Sequence, residues 1–567
     1  MPKKQIAPGP KAADIEVDLL IVGSGTGMAA ALAAKEQGLS SLIIEKTAYV
    51  GGSTARSGGA FWVPGNSTLE RDGSPDSVAR ADSYLEAIVR DSAPADRWRA
   101  YLDHGRDAID AVERVTKLNF FWAEGYPDYH PENPGGSATG RTCEPKPFDL
   151  AELGAERSRF RAGVMEAPVP MPVTGADYRW MNLMTRKPTK AIPRMIKRLA
   201  QGVGGKALGR TYTAGGQALA AGLFAGVIDA GIPVWTRASL VALTRDADRV
   251  TGATVEQDGK TVTVVAKRGV ILATGGFEHN VPLRRTHAAV IHDVDYSLGS
   301  DGNTGDGIAA GQEVGADVAH MDQAWWFPAV APVGDGQVLP LLAERSLPGS
   351  LIVNDGGERF INESVDYMTF GQAMLASRNA GGGEREIWLI FDQQYRDSYL
   401  LAASVFPRQA IPKAWYDAGI AHRADNPRAL AESIGMPQDA LISTLRRFNS
   451  LAANGNDEDF HRGESAYDRY YGDPTHGPNS CLRPLKGGLY AVKLVLSDLG
   501  TCGGLKADER ARVLRPDGTV IDGLYAIGNT AGNAFGDKYP GAGATIGQGI
   551  VFGYIAALDA AGVTGKA

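Results

Sequence analysis

Cysteine is scarce: Cys143, Cys481 and Cys502 are the three in 567 residues, at spacings that suit neither a disulfide framework nor a metal site. The nine histidines show no HxH or HxxxH spacing, so no metal centre is expected. A basic excess is missing too. The formal net charge is −7, the wrong sign for neutralising phosphates, and no nucleic-acid partner is expected. No run approaches the roughly 18 apolar residues of a membrane span; the stretch 215–232 comes nearest, broken by glycines and Asp229. Residues 1–16 are polar, hold Pro8 and Pro10, and lack the apolar core of a signal peptide. These absences point to a soluble cytoplasmic protein.

Glycine, by contrast, is abundant. Its 71 residues gather in short clusters of the kind that mark tight turns or close approach of backbone to a ligand. A chain this long exceeds one simple core, so two or more domains are expected. From Val17 the order reads strand, glycine turn, helix, strand: apolar residues 18–22, the turn 23–27, an alanine-rich stretch 28–36, and 41–44 ending at Glu45. This βαβ start implies a parallel α/β sheet. Residues 239–272 read as a β-meander feeding a strand that runs into Thr274-Gly275-Gly276, and 523–529 has the same shape. The first and last of these segments lie at opposite ends of the chain. If both serve one sheet, a second domain at 327–489 is inserted between 1–326 and 490–567.

Gly23-Ser24-Gly25-Thr26-Gly27 lies between strand and helix, where glycines let the backbone approach a pyrophosphate at the helix N-terminus. Glu45 stands where a carboxylate accepts hydrogen bonds from an adenosine ribose, with Lys46 and Thr47 beside it. Met28 replaces the third glycine of the fingerprint, which predicts a slightly wider helix–strand spacing. The loop 51–59 after Glu45 offers Gly52, Ser53, Thr54, Ser57, Gly58 and Gly59 as further contacts. Thr274 with Gly275, Gly528 with Asn529, Asp306 and Ile546 complete the candidate cofactor set. Glycine sites spread over the whole chain suit an extended dinucleotide, FAD, better than NAD, which needs the first site alone.

The order of these sites resembles the succinate dehydrogenase and fumarate reductase flavoprotein superfamily, as do residues 303–307 and 357–363. In some of those proteins a histidine near the serine-rich loop binds the flavin covalently. Here no histidine precedes His104, so non-covalent FAD is expected. A nearer resemblance, over essentially the whole chain apart from one insertion, is to the 3-ketosteroid Δ1-dehydrogenases. Six segments carry it in order: Gly125-Tyr126-Pro127-Asp128-Tyr129, Asp322-Gln323-Ala324-Trp325, 362–367, 460–464, 496–501, and Tyr539-Pro540-Gly541-Ala542-Gly543.

That resemblance implies an α/β fold, a Rossmann-like FAD-binding domain with an inserted α+β catalytic domain. It implies a 3-ketosteroid substrate and an electron acceptor whose identity stays open. Tyr539 and the Gly543 N–H would hold the C3 carbonyl oxygen, Tyr367 would take a proton from C2, Tyr129 would assist, and flavin N5 would accept hydride from C1. Ala542 stands where many relatives have proline, which would loosen that turn. The residue types suit the task. A C–H beside a ketone is acidified only if the developing enolate oxygen is stabilised, and a phenol with a backbone N–H is such a pair. A phenol is a poor base near neutrality unless a neighbouring hydroxyl or a positive field lowers its pKa from about 10. Two alternatives stay open: a related flavoenzyme acting on another ring position or on a dicarboxylate, and a non-catalytic flavin redox subunit. The segments show tyrosines rather than the arginines and histidine that clamp two carboxylates.

The insertion, about 154–210, has its own pattern. From Tyr178 to Arg210 there are nine Lys or Arg and no Asp or Glu. Ile192, Met195, Ile196 and Leu199 share one helical face, with Arg194, Lys197 and Arg198 on or near the other. Three readings stand: peripheral membrane contact through 178–200, a surface helix packed on its own domain, or a lid over a long substrate such as a sterol retaining its side chain.

Overall fold

The computed structural model describes residues 15–164, 169–287, 295–379 and 385–563. Most of the N-terminal stretch 1–16 and residues 165–168 of the insertion lie outside them. The apolar runs form a parallel core: Val520–Ala526, Lys260–Leu272, Ile15–Val22, Ser41–Glu45 and Val234–Thr236 are neighbours in that order. Leu19 to Val22 pair with Ser41 to Ile44, and Leu20 to Val22 with Val270 to Leu272. Their side chains are buried on both faces, which is why each run is continuously apolar rather than alternating. Ala238–Asp246 and Arg249–Gln257 fold antiparallel onto Lys260–Leu272 as the meander. Parallel pairing demands crossovers, and the alanine-rich helix Gly27–Glu36 supplies the first.

Helix Ala544–Ala561 packs on Gly27–Glu36 and Ala95–Val115. Among the described residues this helix, rather than the expected stretch 215–232, is the one long and apolar enough to cross a membrane, but 72% of it is buried inside the protein. Its apolarity serves the core.

The second sheet is antiparallel, in the order Leu339–Pro340, Ala324–Val330, Leu489–Thr501, Ile387–Asp392, Ser350–Asn354, with Ala421–Ala424 also paired to Leu489–Thr501. By sheet membership the inserted domain therefore runs from Ala324 to Thr501 rather than 327–489. The cause is Leu489–Thr501, a long central strand whose far end crosses back to the first domain. The smaller insertion is closed by a two-stranded ribbon, Phe148–Asp149 with Tyr212–Thr213, and carries helices Gly175–Asn182 and Pro188–Ala207.

Pro188–Ala207 is turned opposite to an ordinary surface helix. Ala191, Gly202 and Gly205 face inward; Gly202 sits so close that a Cβ there would lie 1.8 Å from the Pro170 carbonyl oxygen. Arg194 stacks over Trp180 and Arg198 pairs with Asp177 at 2.6 Å, so both arginines turn into the protein. Ile192, Ile196, Leu199 and Val203 point outward, 50%, 60%, 42% and 50% exposed. The helix does pack on its own domain, but through small residues, which leave its large apolar side chains outside.

Candidate active site

One continuous cavity of about 600 Å³ runs from the Gly23 turn to the tyrosines at the domain boundary. At its first end the backbone is packed to glycine dimensions. Gly23 has φ +111°, and a Cβ there would lie 2.1 Å from the Ala273 oxygen. Ser24 N–H and Oγ donate to Glu45 Oε2, at 3.3 and 2.6 Å, while Thr47 N–H and Oγ1 donate to Oε1. The carboxylate is thus held at the cavity wall. Lys46 Nζ bridges Thr304 and Asp306, each at 2.6 Å. Ser53 Oγ accepts from Ser300 N–H and Asn303 Nδ2, tying the serine loop to the loop before helix Asp306–Glu313.

The cavity lining includes Gly23, Ser24, Gly25, Thr26, Glu45, Lys46, the 52–59 loop, Thr274, Gly275, Asp306, Gly528, Asn529 and Ile546. Three expected contacts lie elsewhere. Gly27 is spent on helix–strand packing, since a Cβ there would meet Ile21 at 3.0 Å. Met28 is fully buried in the core. Thr47 acts one step back, orienting Glu45 and accepting from Arg161. Ala214, Gly215 and Gln217 were missed: helix Gly215–Asp229 abuts the serine loop, and the pair Gly215-Gly216 that opens it was the signal that could have found them.

At the other end the expected tyrosines meet, each from a different element. Tyr129 lies on the loop between Phe120–Trp122 and Thr142–Pro145. Asp128 anchors that loop, accepting from Trp62 Nε1 and Ser137 N–H and pairing with Arg141. Tyr367 opens helix Tyr367–Asn379, capped by Asp366, whose Oδ1 accepts from Met368 and Thr369 N–H. Tyr539 comes from the loop before Ala544–Ala561. The Tyr129 ring is 5.7 Å from Tyr367 and 5.0 Å from Tyr539, both edge-on. Gly543, at φ +91°, caps that last helix, and its N–H lies close enough to the Tyr539 phenol to work against the burial that pushes it up. A Cβ at 543 would lie 2.2 Å from the Ala60 oxygen, so only glycine brings that N–H here.

Burial pushes the phenols of Tyr126, Tyr129, Tyr467, Tyr471 and Tyr539 well up, so they are neutral donors at working pH. Trp325 packs tilted against Tyr539, ring centroids 4.6 Å apart, and donates to Asn529. Tyr471 was not foreseen; it lines the cavity and donates to Tyr126 at 3.0 Å. The insertion also reaches in: Met171, Val173, Tyr178 and Met181 line the cavity.

The fold and cradle define a dinucleotide-binding flavoprotein with a second domain closing over the cofactor end, and the comparisons agree. A family model described as an FAD binding domain matches residues 18–546. The 3-oxosteroid 1-dehydrogenase of Mycolicibacterium smegmatis is 44% identical over 557 residues, 96% of this chain and 97% of that one. That of Mycobacterium tuberculosis is 42% identical over 562, covering 97% and 99%. The crystal structure of the Sterolibacterium denitrificans 3-ketosteroid Δ1-dehydrogenase with 1,4-androstadiene-3,17-dione superposes with a TM-score of 0.89 at 35% identity, covering 97% and 100%. The chain belongs to the 3-oxosteroid 1-dehydrogenase family.

Proposed function

We propose that the protein oxidises the C1–C2 bond of 3-ketosteroids with FAD. The observation that carries this reading is the Tyr539 hydroxyl and Gly543 N–H side by side in one cavity with Tyr367. FAD fits the first end, where the backbone packs to glycine dimensions along an extended wall and Glu45 is held for a ribose. When bound, it supplies the acceptor for the hydride leaving C1. The chain's own residues do the rest. Tyr539 and Gly543 donate to the C3 oxygen and stabilise the enolate. Tyr367 takes the C2 proton, and the C2–H electron pair becomes the new double bond as C1 loses hydride. Tyr129 packs edge-on against both phenols and fixes their separation. The apolar, buried surroundings exclude water.

Among the described residues no histidine or cysteine lines the cavity, which supports non-covalent FAD. The purified protein should be yellow and release intact FAD on acid precipitation. Anaerobic 4-androstene-3,17-dione should then bleach the visible flavin band, whereas dicarboxylates should not. A flavin that no 3-ketosteroid bleaches would end the reading, and colour left in the precipitate would end the non-covalent part.

The reading extends to the source of the substrate, a bilayer. Met171, Val173, Tyr178 and Met181, which line the cavity, belong to the same insertion as the outward row Ile192, Ile196, Leu199 and Val203. Phe406, also a lining residue, is 43% exposed. Lys187, Lys190, Lys197 and Lys206 flank the row, and none has an ion-pair partner among the described residues. An apolar stripe edged with free lysines suits the interface of an anionic bilayer. Sterols with an intact side chain reside there, and the apolar lining at Met171, Val173, Met181 and Leu400 suits such a chain. At low salt the protein should float with vesicles containing anionic lipid. The triple variant Ile192→Glu, Ile196→Glu, Leu199→Glu should stay behind. Equal flotation of both would overturn the contact, and a dimer without vesicles that the variant abolishes would assign the face to a second copy.

A further inference from the structure

The base assigned above needs help, because a phenol is reluctant to ionise near neutrality. The structure places one buried cation against it. Arg345, on the short turn Glu344–Ser346, is 1% exposed, and its guanidinium carbon lies 5.2 Å from the Tyr367 ring centroid and 5.2 Å from that of Phe370. Its Nη1 donates to the Glu363 carbonyl oxygen at 2.6 Å, while its Nε is buried without a hydrogen-bond partner.

The carboxylates nearby are engaged elsewhere. Glu363 receives Arg359 through two bonds of 2.8 Å and Arg462 at 3.2 Å, and Asp457 also takes Arg359. Glu344 turns away to Leu342 and Ala403 N–H and the Tyr178 hydroxyl. Among the described residues no carboxylate lies within ion-pair reach of Arg345. A buried cation without a counter-charge is costly, and the cost is offset wherever an anion forms beside it.

The groups facing Tyr367 leave Arg345 as that source of positive field. Tyr126 and Tyr129 face it from the 123–141 loop, Tyr178 from the insertion, Tyr467, Tyr470 and Tyr471 from helix Ala466–Tyr471, and Tyr539 from its own loop. Burial pushes every one of these phenols up, so each stays neutral. Asp366 opposes ionisation from the helix cap, with His130 Nε2 3.8 Å from its Oδ2.

We propose that Arg345 is a positioning residue for the base: its uncompensated guanidinium, stacked on the Tyr367 ring, stabilises the tyrosinate that takes the C2 proton. The cation–π contact with the neutral ring becomes a charge–charge attraction once the ring is ionised. Part of the phenolate charge is delocalised into the ring, under the face that the guanidinium covers.

This rests on Tyr367 being the base, and the test separates the two. Turnover should rise with pH as Tyr367 ionises. Arg345→Met should move that rise upward, lowering turnover near neutrality about 10-fold or more. Arg345→Lys, which keeps the charge, should restore most of the shift. A folded Arg345→Met with an unmoved profile would overturn the proposal, as would Arg345→Lys shifted as far as Arg345→Met. If Arg345→Met does not fold, near-UV tyrosinate absorbance of the wild-type protein minus that of Tyr367→Phe decides without turnover. A tyrosine titrating below the ordinary value of about 10 sustains the field, and one at or above it refutes it. Failure of the base itself would appear separately, as undiminished turnover in Tyr367→Phe.

Discussion

Tyr367→Phe lowers turnover of a 3-ketosteroid by two or more orders of magnitude, the range over which a positioned proton acceptor acts. The substitution keeps the ring against Tyr129 and the Arg345 guanidinium and removes the one oxygen assigned to the C2 proton. Neighbouring phenols do not replace it. Tyr129, Tyr467 and Tyr471 are pushed up by burial, whereas the Arg345 guanidinium lies over the Tyr367 ring. Steroid binding stays close to normal because Tyr539 and Gly543 are untouched. Rapid-mixing measurement of flavin bleaching, with a separate binding titration, checks both halves. A variant that keeps more than about a tenth of the wild-type rate would place the base elsewhere.

The cofactor end was legible because its chemistry constrains local sequence. Parallel strands buried on both faces must be continuously apolar, and a backbone turned toward a dinucleotide needs glycine at Gly23 and Gly275, so both features surface in short windows. At Gly27 and Met28 the fingerprint also serves packing, because glycine for tight packing and glycine for ligand approach look alike in one sequence. Drawn at 489, the second domain's edge stops at the start of Leu489–Thr501, a strand that pairs into that domain's sheet and carries the polar residues Ser497 and Asp498. They are buried at 1% exposure, and Ser497 Oγ donates to the Tyr296 carbonyl oxygen.

The insertion shows a different limit. Amphipathicity says that a helix has two faces, not which one the protein keeps. The inward face of Pro188–Ala207 is specified by Ala191, Gly202 and Gly205, residues that leave almost no trace in a hydrophobic pattern. Arg345 had no local signal either. Its meaning depends on Glu363 being engaged by Arg359 and Arg462, and on Tyr367 folding beneath it from another element. Such counting of partners needs three dimensions.

Tyr539→Phe costs about 10²–10³ in turnover, the loss expected when one of two donors to a developing oxyanion is removed. Burial pushes the Tyr539 phenol up, so it remains a protonated donor through the whole working range. The effect should therefore be the same at pH 6 as at pH 9, unlike the displaced profile expected for Arg345→Met. The Gly543 N–H stays in place, because its position is set by the helix cap and by contact with Ala60 rather than by the phenol. The loss should fall mainly on turnover and less on KM, since the donor matters most when charge sits on the C3 oxygen. Combining it with Tyr367→Phe should cost far less than the product of the two single effects. Proton removal without enolate stabilisation, or the reverse, gains little, so the two groups act as a unit. Steady-state kinetics on the two single variants and the double variant read this directly. Near-normal rates in Tyr539→Phe would show that other groups hold the carbonyl, and fully multiplicative losses would show that the two tyrosines serve separate steps.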